Sequence, residues 1–255
     1  MFADINGIRI FYTDDGKGFP VFLIPGFAAD HRFWKDMIPE LTGYRLIAVD
    51  NRGVGRTEYS GRFGIDDLAD DIVALADHLG IDRFAVMGWS MGTHISESIC
   101  GRYPTRVSCC ILISPYLRRP SRTEYLLSGF TGMLSRGEVS KESFCMLMNA
   151  LCLTERDFMG FEDSGRYPSC NMDLNVDGLI DQLNAVEMFD PIPILDEIDV
   201  PILVIHGSDD CMVPVYHAEE TAARLKNSRL VIVYGAGHRV DPKSYADLVR
   251  EFISV

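Results

Sequence analysis

Ser90 stands in Gly88-Trp89-Ser90-Met91-Gly92, a serine bracketed by glycines at the end of an apolar run. A serine hydroxyl attacks a carbonyl only when a base takes its proton and donors wait where the oxyanion will form. The five-residue pattern turns up by chance in roughly one chain in ten of this length, so its partners must be sought elsewhere. Of the six histidines, His31 and His78 read as exposed helical residues, His94 follows the serine on its own helix, and His217 sits beside a helix start. His206 ends a predicted strand and reads as structural. His238 lies in VYGAGHRVDP, a loop after the last predicted strand. Catalytic groups collect at that carboxyl edge of a sheet, so His238 is the candidate base. Such a histidine needs a carboxylate to fix its tautomer. The run ending ISPY offers none, whereas HGSDDCMVP offers Asp209 and Asp210. Together these residue types would do nucleophilic acyl transfer.

The elements that must position them alternate. Short apolar runs predict strands over 8–12, 21–24, 44–49, 84–87, 107–113, 201–206 and 229–234. Helical spacing predicts helices over 66–79, 91–103, 216–226 and 245–253, and Asp30 is placed to cap a helix running to Leu41. Strands separated by such helices mean βαβ units and a mainly parallel sheet. Ser90 then falls on a sharp strand-to-helix turn. The helix N-terminus there favours developing negative charge, with the Met91 N–H pointing into the same space.

Residues 116–190 break this rhythm. They carry helical pieces over 124–134 and 141–153 and six of the eleven methionines, at 133, 146, 148, 159, 172 and 188. Phe130, Phe144, Phe158 and Phe161 stand among them. A stretch rich in flexible, apolar side chains at this point reads as a lid over an apolar pocket. Its expected lining is Trp89, Phe130, Met133, Phe144 and Met148.

Composition narrows the class. The 255 residues are 47% hydrophobic and 24% charged, enough for a sizeable core. The N-terminal residues have neither the basic flank nor the apolar segment of a signal peptide, so a cytoplasmic protein is expected. A net charge of −13 argues against nucleic acid or an anionic membrane as partner. Seven cysteines (Cys100, Cys109, Cys110, Cys145, Cys152, Cys170 and Cys211) show no C-x-x-C spacing, which predicts buried reduced thiols and no metal site. From Arg102 to Arg122 there are five arginines and no acid. That run reads first as a solvated face.

The chain resembles the α/β-hydrolase superfamily over essentially its whole length. The resemblance rests on the GWSMG elbow, on G-x-x-D-x-x-V-P over 207–214 and on Gly237-His238, in the order Ser, Asp, His. It implies an α/β-hydrolase fold: a core from 1–115 and 191–255, with a helical cap over 116–190 inserted after the sixth strand. The family spacing selects Asp210 as the acid. Pro25-Gly26-Phe27 matches the loop whose backbone supplies a second oxyanion donor, here the Phe27 N–H. DNRGVGRT at 50–57 matches a structural loop, with Thr57 replacing the usual serine. The serine nucleophile implies hydrolysis of small or medium carboxylic esters, with no metal or organic cofactor. C–C bond hydrolysis or perhydrolysis on the same triad, or a slow-turnover ligand sensor on the fold, are the alternatives. Esterases acting on an acyl carrier protein are similar members. By that similarity Arg118, Arg119 and Arg122 would steer an acidic carrier.

Overall fold

The computed structural model describes residues 1–59, 61–164 and 174–254. Cys170 and Met172 lie outside the described residues. Eight strands form one sheet: β1 (Phe2–Ile5), β2 (Ile8–Gly16), β3 (Phe19–Ile24), β4 (Tyr44–Val49), β5 (Phe84–Trp89), β6 (Val107–Ile113), β7 (Ile202–Gly207) and β8 (Ser228–Val233). Their spatial order is β1-β2-β4-β3-β5-β6-β7-β8. The pairs from β4 through β8 are parallel, and β1 and β2 are added antiparallel at one edge.

Strands β5 and β7 are buried at every position, because helices cover both faces of a parallel sheet. That is why they read as continuous apolar runs rather than alternating ones. Strand β1 escaped the sequence reading, yet its signal was present. Asn6-Gly7 turns it onto β2 with φ of 50° and 78°, the left-handed pair that a two-residue hairpin needs.

Helices α1 (Ile65–His78) and α2 (Met91–Arg102) pack against each other, and α2 lies on β5 and β6. Asp30 does cap the next turn, accepting from the Arg32 N–H, but the predicted helix is two short 3-10 turns, His31–Asp36 and Ile38–Glu40. Pro39 has no N–H to continue the first turn as an α-helix. After β6 the described residues build four helices of ten or more residues, α3 (Ser121–Ser135), α4 (Lys141–Cys152), α5 (Glu155–Ser164) and α6 (Val176–Met188). The short α7 (Ile192–Leu195) leads into β7, and α8 (Tyr216–Arg224) and α9 (Ala246–Ile253) complete the fold. No described helix is long and apolar enough to cross a membrane.

The cysteine expectation needs two corrections. Cys145 is disulfide-bonded, and Cys211 is exposed rather than buried. Cys100, Cys109, Cys110 and Cys152 are buried free thiols as expected. Burial pushes the Cys109 thiol up to about 11 and that of Cys152 further, which keeps both protonated.

Candidate active site

The sheet reverses its winding at β3, whose neighbours are β4 on one side and β5 on the other. Loops leaving the carboxyl ends of strands at such a point leave a crevice for ligand. Here Ile24 pairs with Gly88, so the Gly26-Phe27 loop and the Ser90 turn emerge side by side. Asp210 follows β7 and His238 follows β8, at the same edge of the sheet.

The turn at Ser90 is as sharp as its glycines suggested. A Cβ on Gly88 would lie 2.2 Å from the Gly92 carbonyl oxygen, and one on Gly92 would lie 2.3 Å from that of Ile24. Only bare backbone lets β5, α2 and β3 approach so closely. Ser90 itself has φ 54° and ψ −120°, a strained conformation for a residue with a Cβ. It is held by its N–H donating to Ile113 O at 2.9 Å and by Thr93 Oγ1 donating to Ser90 O at 2.6 Å. Ala28 (φ 59°) and Ser114 (φ 54°) share the left-handed region. Ser114 Oγ donates to the His238 carbonyl at 3.1 Å, and Ala28 follows Phe27, so three strained residues converge on one place.

The three sequence candidates meet there. His238 Nε2 is 2.9 Å from Ser90 Oγ, and His238 Nδ1 is 2.7 Å from Asp210 Oδ2. Ser90, Asp210 and His238 are all buried. The second carboxylate oxygen of Asp210 accepts the Met212 and Val213 N–H groups at 2.9 and 2.7 Å. Burial alone would raise the Asp210 pKa. The adjacent His238 ring and hydrogen bonds from His206 and His238 outweigh it and hold the carboxyl well below its usual range. Asp209 instead accepts from Ser208 Oγ at the surface.

His206 is the first residue whose part the sequence understated. Its Nε2 donates to Val213 O at 2.8 Å and lies 3.3 Å from Asp210 Oδ2, the oxygen that also faces His238. Gln182 is the second. Fully buried on α6, it accepts the Ala28 N–H at 3.0 Å and donates to Arg52 O at 2.9 Å, tying α6 to the loop that carries Phe27. A signal for it existed. Leu179, Gln182, Leu183 and Val186 have the spacing of one buried helical face, with a lone polar residue in it. Asn51 braces the other side of that loop by donating to Pro25 O at 3.1 Å. Among the described residues, neither the Phe27 nor the Met91 N–H donates to a protein acceptor.

A narrow pocket opens on Ser90 and His238. Of the expected lining residues, Trp89 and Met148 line it; Phe130, Met133 and Phe144 do not. The buried stripe of α3 is Thr123, Leu127, Thr131 and Leu134, and Phe130 and Met133 fall to one side of it. Phe144 is buried behind Phe27, with ring centroids 6.4 Å apart. Met146, Met159 and Met188 are exposed rather than lining a pocket. Trp89 has more than one part in the site. It lines the cavity, stacks on Phe33 at 4.0 Å, and donates from Nε1 to the His238 carbonyl at 2.9 Å.

The arginine run does not act as one surface. Arg102 pairs with Asp70 and Arg106 with Asp77, acids supplied by α1. Arg118 is exposed, and Arg122, also exposed, donates to the Cys211 carbonyl. Arg119 turns inward and is part of the cavity wall.

One group of metal-ligating types comes together among the described residues: Asp30, His31 and Asp50. Its donors are engaged. Arg32 pairs with Asp30, His31 Nδ1 meets Asp50 Oδ1 at 2.6 Å, and the Arg56 N–H donates to Asp50 Oδ2 at 2.9 Å. His31 is therefore a partly buried brace, not the exposed helical residue expected. Thr57 Oγ1 donates to Asp50 O at 2.6 Å, so threonine serves this loop as a serine would.

The family model for the alpha/beta hydrolase fold matches residues 20–240. The chain is an α/β hydrolase. A non-heme haloperoxidase from Rhodococcus erythropolis is 30% identical, over 91% of this chain and 90% of its own. A pimeloyl-acyl-carrier-protein methyl ester esterase from Neisseria meningitidis serogroup B is 29% identical, over 91% and 92%. Among solved structures, a thermophilic esterase from Thermogutta terrifontis superposes with a TM-score of 0.87 at 24% identity, covering 100% of this chain and 97% of that one. That last likeness is one of fold. The esterase relatives of this α/β hydrolase support a hydrolytic activity for it.

Proposed function

We propose that this α/β hydrolase is a serine esterase working on carboxylic esters of small or medium acyl size. The observation that carries the reading is the unbroken chain from Ser90 Oγ through His238 to Asp210, with contacts of 2.9 and 2.7 Å. In it, His238 Nε2 takes the hydroxyl proton as Oγ attacks the ester carbonyl, and Asp210 stabilises the imidazolium that results. The oxyanion forms against the Phe27 and Met91 N–H groups at the N-terminus of α2. Collapse expels the alcohol, which leaves with the proton from His238. Water then attacks the acyl-serine by the same route and releases the acid. The helices between β6 and β7 act as the lid, and Thr123, Leu127, Met148, Leu183 and Val186 shape the acyl site.

A chain-length series of p-nitrophenyl acyl esters tests this reading. Steady-state turnover is expected, with kcat/KM falling once the acyl chain outgrows the cavity. Stoichiometric binding without turnover would point instead to a ligand sensor on the same fold.

Gln182 is expected to matter to catalysis without touching substrate. Substituting leucine removes the acceptor of the Ala28 N–H and lets the Phe27 donor drift. A misplacement of an ångström costs on the order of a hundredfold, so Q182L should lower kcat roughly tenfold to a hundredfold with little change in KM. An unchanged kcat in a folded Q182L protein would remove Phe27 from the oxyanion site.

The haloperoxidase relative favours a second use of the same residues. If hydrogen peroxide replaces water as the attacker of the acyl-serine, the products are a peracid and free Ser90. Peracid formation from acetate and peroxide, compared between wild type and S90A, tests this directly. An acidic acyl carrier as substrate rests on the Neisseria relative's name. With Arg119 turned inward, any steering of a carrier falls to Arg118 and Arg122.

A further inference from the structure

The cavity over Ser90 is apolar on most of its wall, with Trp89, Leu127, Met148, Leu183 and Val186 among its lining residues. It contains no Asp or Glu among its described lining residues, but it does contain Arg119. That side chain is only 9% exposed. A guanidinium is always charged, and a buried one needs its N–H groups satisfied. Arg119 falls short of that. Its Nε side is ion-paired with Glu124, and Nη2 makes one long contact to Leu183 O at 3.4 Å. Nη1 is buried with no hydrogen-bond partner among the described residues.

Glu124 meets the Nε side of Arg119 from outside the cavity. Its other oxygen accepts from Ser128, its side chain is 36% exposed, and it lines an outer groove rather than the cavity. That outer groove sets Glu124, Glu187 and Asp190 against Arg118 and Arg119, whereas the inner cavity has no acid among its described lining residues, so an anion is better placed inside. Arg119 belongs to both walls and divides the two spaces.

We propose that the Nη edge of Arg119 binds a carboxylate at the far end of the acyl chain, so that the substrate is a half-ester of a dicarboxylic acid. This rests on the esterase reading of Ser90 and names its substrate class. The end-on fork of a guanidinium matches the two oxygens of a carboxylate, and in a largely apolar cavity such a bond is stronger than in water. The ester carbonyl then sits at Ser90 while the anionic end is anchored at Arg119. One chain length satisfies both at once, and shorter or longer chains lose one contact.

The test compares monomethyl esters of straight-chain dicarboxylic acids with methyl esters of monocarboxylic acids of matched length, on wild type, R119Q and R119K. At one length the wild-type KM should be roughly tenfold to a hundredfold lower for the half-ester than for its neutral match, the range expected of a charge-assisted hydrogen bond. In R119Q that preference falls to about one. In R119K, which keeps the charge but loses the fork, it falls partway. Turnover of neutral esters with no half-ester preference at any length overturns the proposal and leaves the esterase reading standing. If neither class is hydrolysed, the esterase reading fails instead. Calorimetric titration of the same half-esters into wild type and R119Q then decides: binding lost in R119Q supports the anion site, and no binding to wild type overturns it. Should R119Q fail to fold, the wild-type preference decides the matter alone.

Discussion

Replacing Ser90 with alanine should cut ester turnover by at least about ten-thousandfold, down to what binding and the oxyanion donors alone can supply. Alanine keeps the Cβ, so the strained φ of 54° is held by the same backbone bonds, the residue-90 N–H donating to Ile113 O and the Thr93 N–H donating to the residue-90 carbonyl. Only Oγ is lost, together with its contact to His238 Nε2. Stability should therefore stay within about 1 kcal/mol of wild type in urea unfolding. A fluorophosphonate probe should label wild type once, at Ser90, and leave S90A unlabelled. Full activity in S90A would falsify the assignment of the nucleophile.

The second large effect is expected at Asp210. In D210N the side-chain oxygen remains where Met212 and Val213 N–H groups donate to it. That orientation puts the amide NH₂ against His238 Nδ1 and His206 Nε2, both on the side of the present Oδ2. Nδ1 can then only accept, so the ring proton moves to Nε2 and faces the Ser90 hydroxyl. A base carrying its proton on the wrong nitrogen cannot take another, and kcat should fall roughly a thousandfold to ten-thousandfold. Single-turnover kinetics would check this, since acylation itself should slow. A D210N enzyme within tenfold of wild type would make Asp210 structural.

The same carboxylate ties folding to pH. Its folded pKa lies below the unfolded value, so its ionised form stabilises the fold fully above that unfolded pKa of about 4. The contribution is lost as pH falls further, through the folded pKa. D210N lacks this dependence, so the stability gap between it and wild type should narrow as pH is lowered below about 4.

Much of this was readable from local pattern. The apolar runs became β3 to β7 because the inner strands of a parallel sheet covered on both faces demand such runs, whatever the rest of the chain does. Gly88 and Gly92 announced the close approach at Ser90. Asp30 announced its cap, although Pro39 changed the kind of helix. The misses have a common cause. Phe130, Met133 and Phe144 were placed in the cavity by composition, and composition does not say which side of a helix faces Ser90.

The sequence by itself determined the strand ends that carry Ser90 and His238 and the sharp turn at the serine, and it offered Asp209 and Asp210 as the acid, between which the family resemblance chose. Each of these depends on residues only a few positions apart, where spacing and backbone preference act directly. Tertiary structure alone decided what surrounds them. Gln182 reaches Ala28 across 154 positions of chain, His206 turns back on Asp210, and Arg119 leaves the arginine run to enter the cavity. Such contacts depend on how α3 to α6 cross over the sheet edge. A buried polar side chain finds its partner in space rather than in sequence, and no local signal records which partner that is.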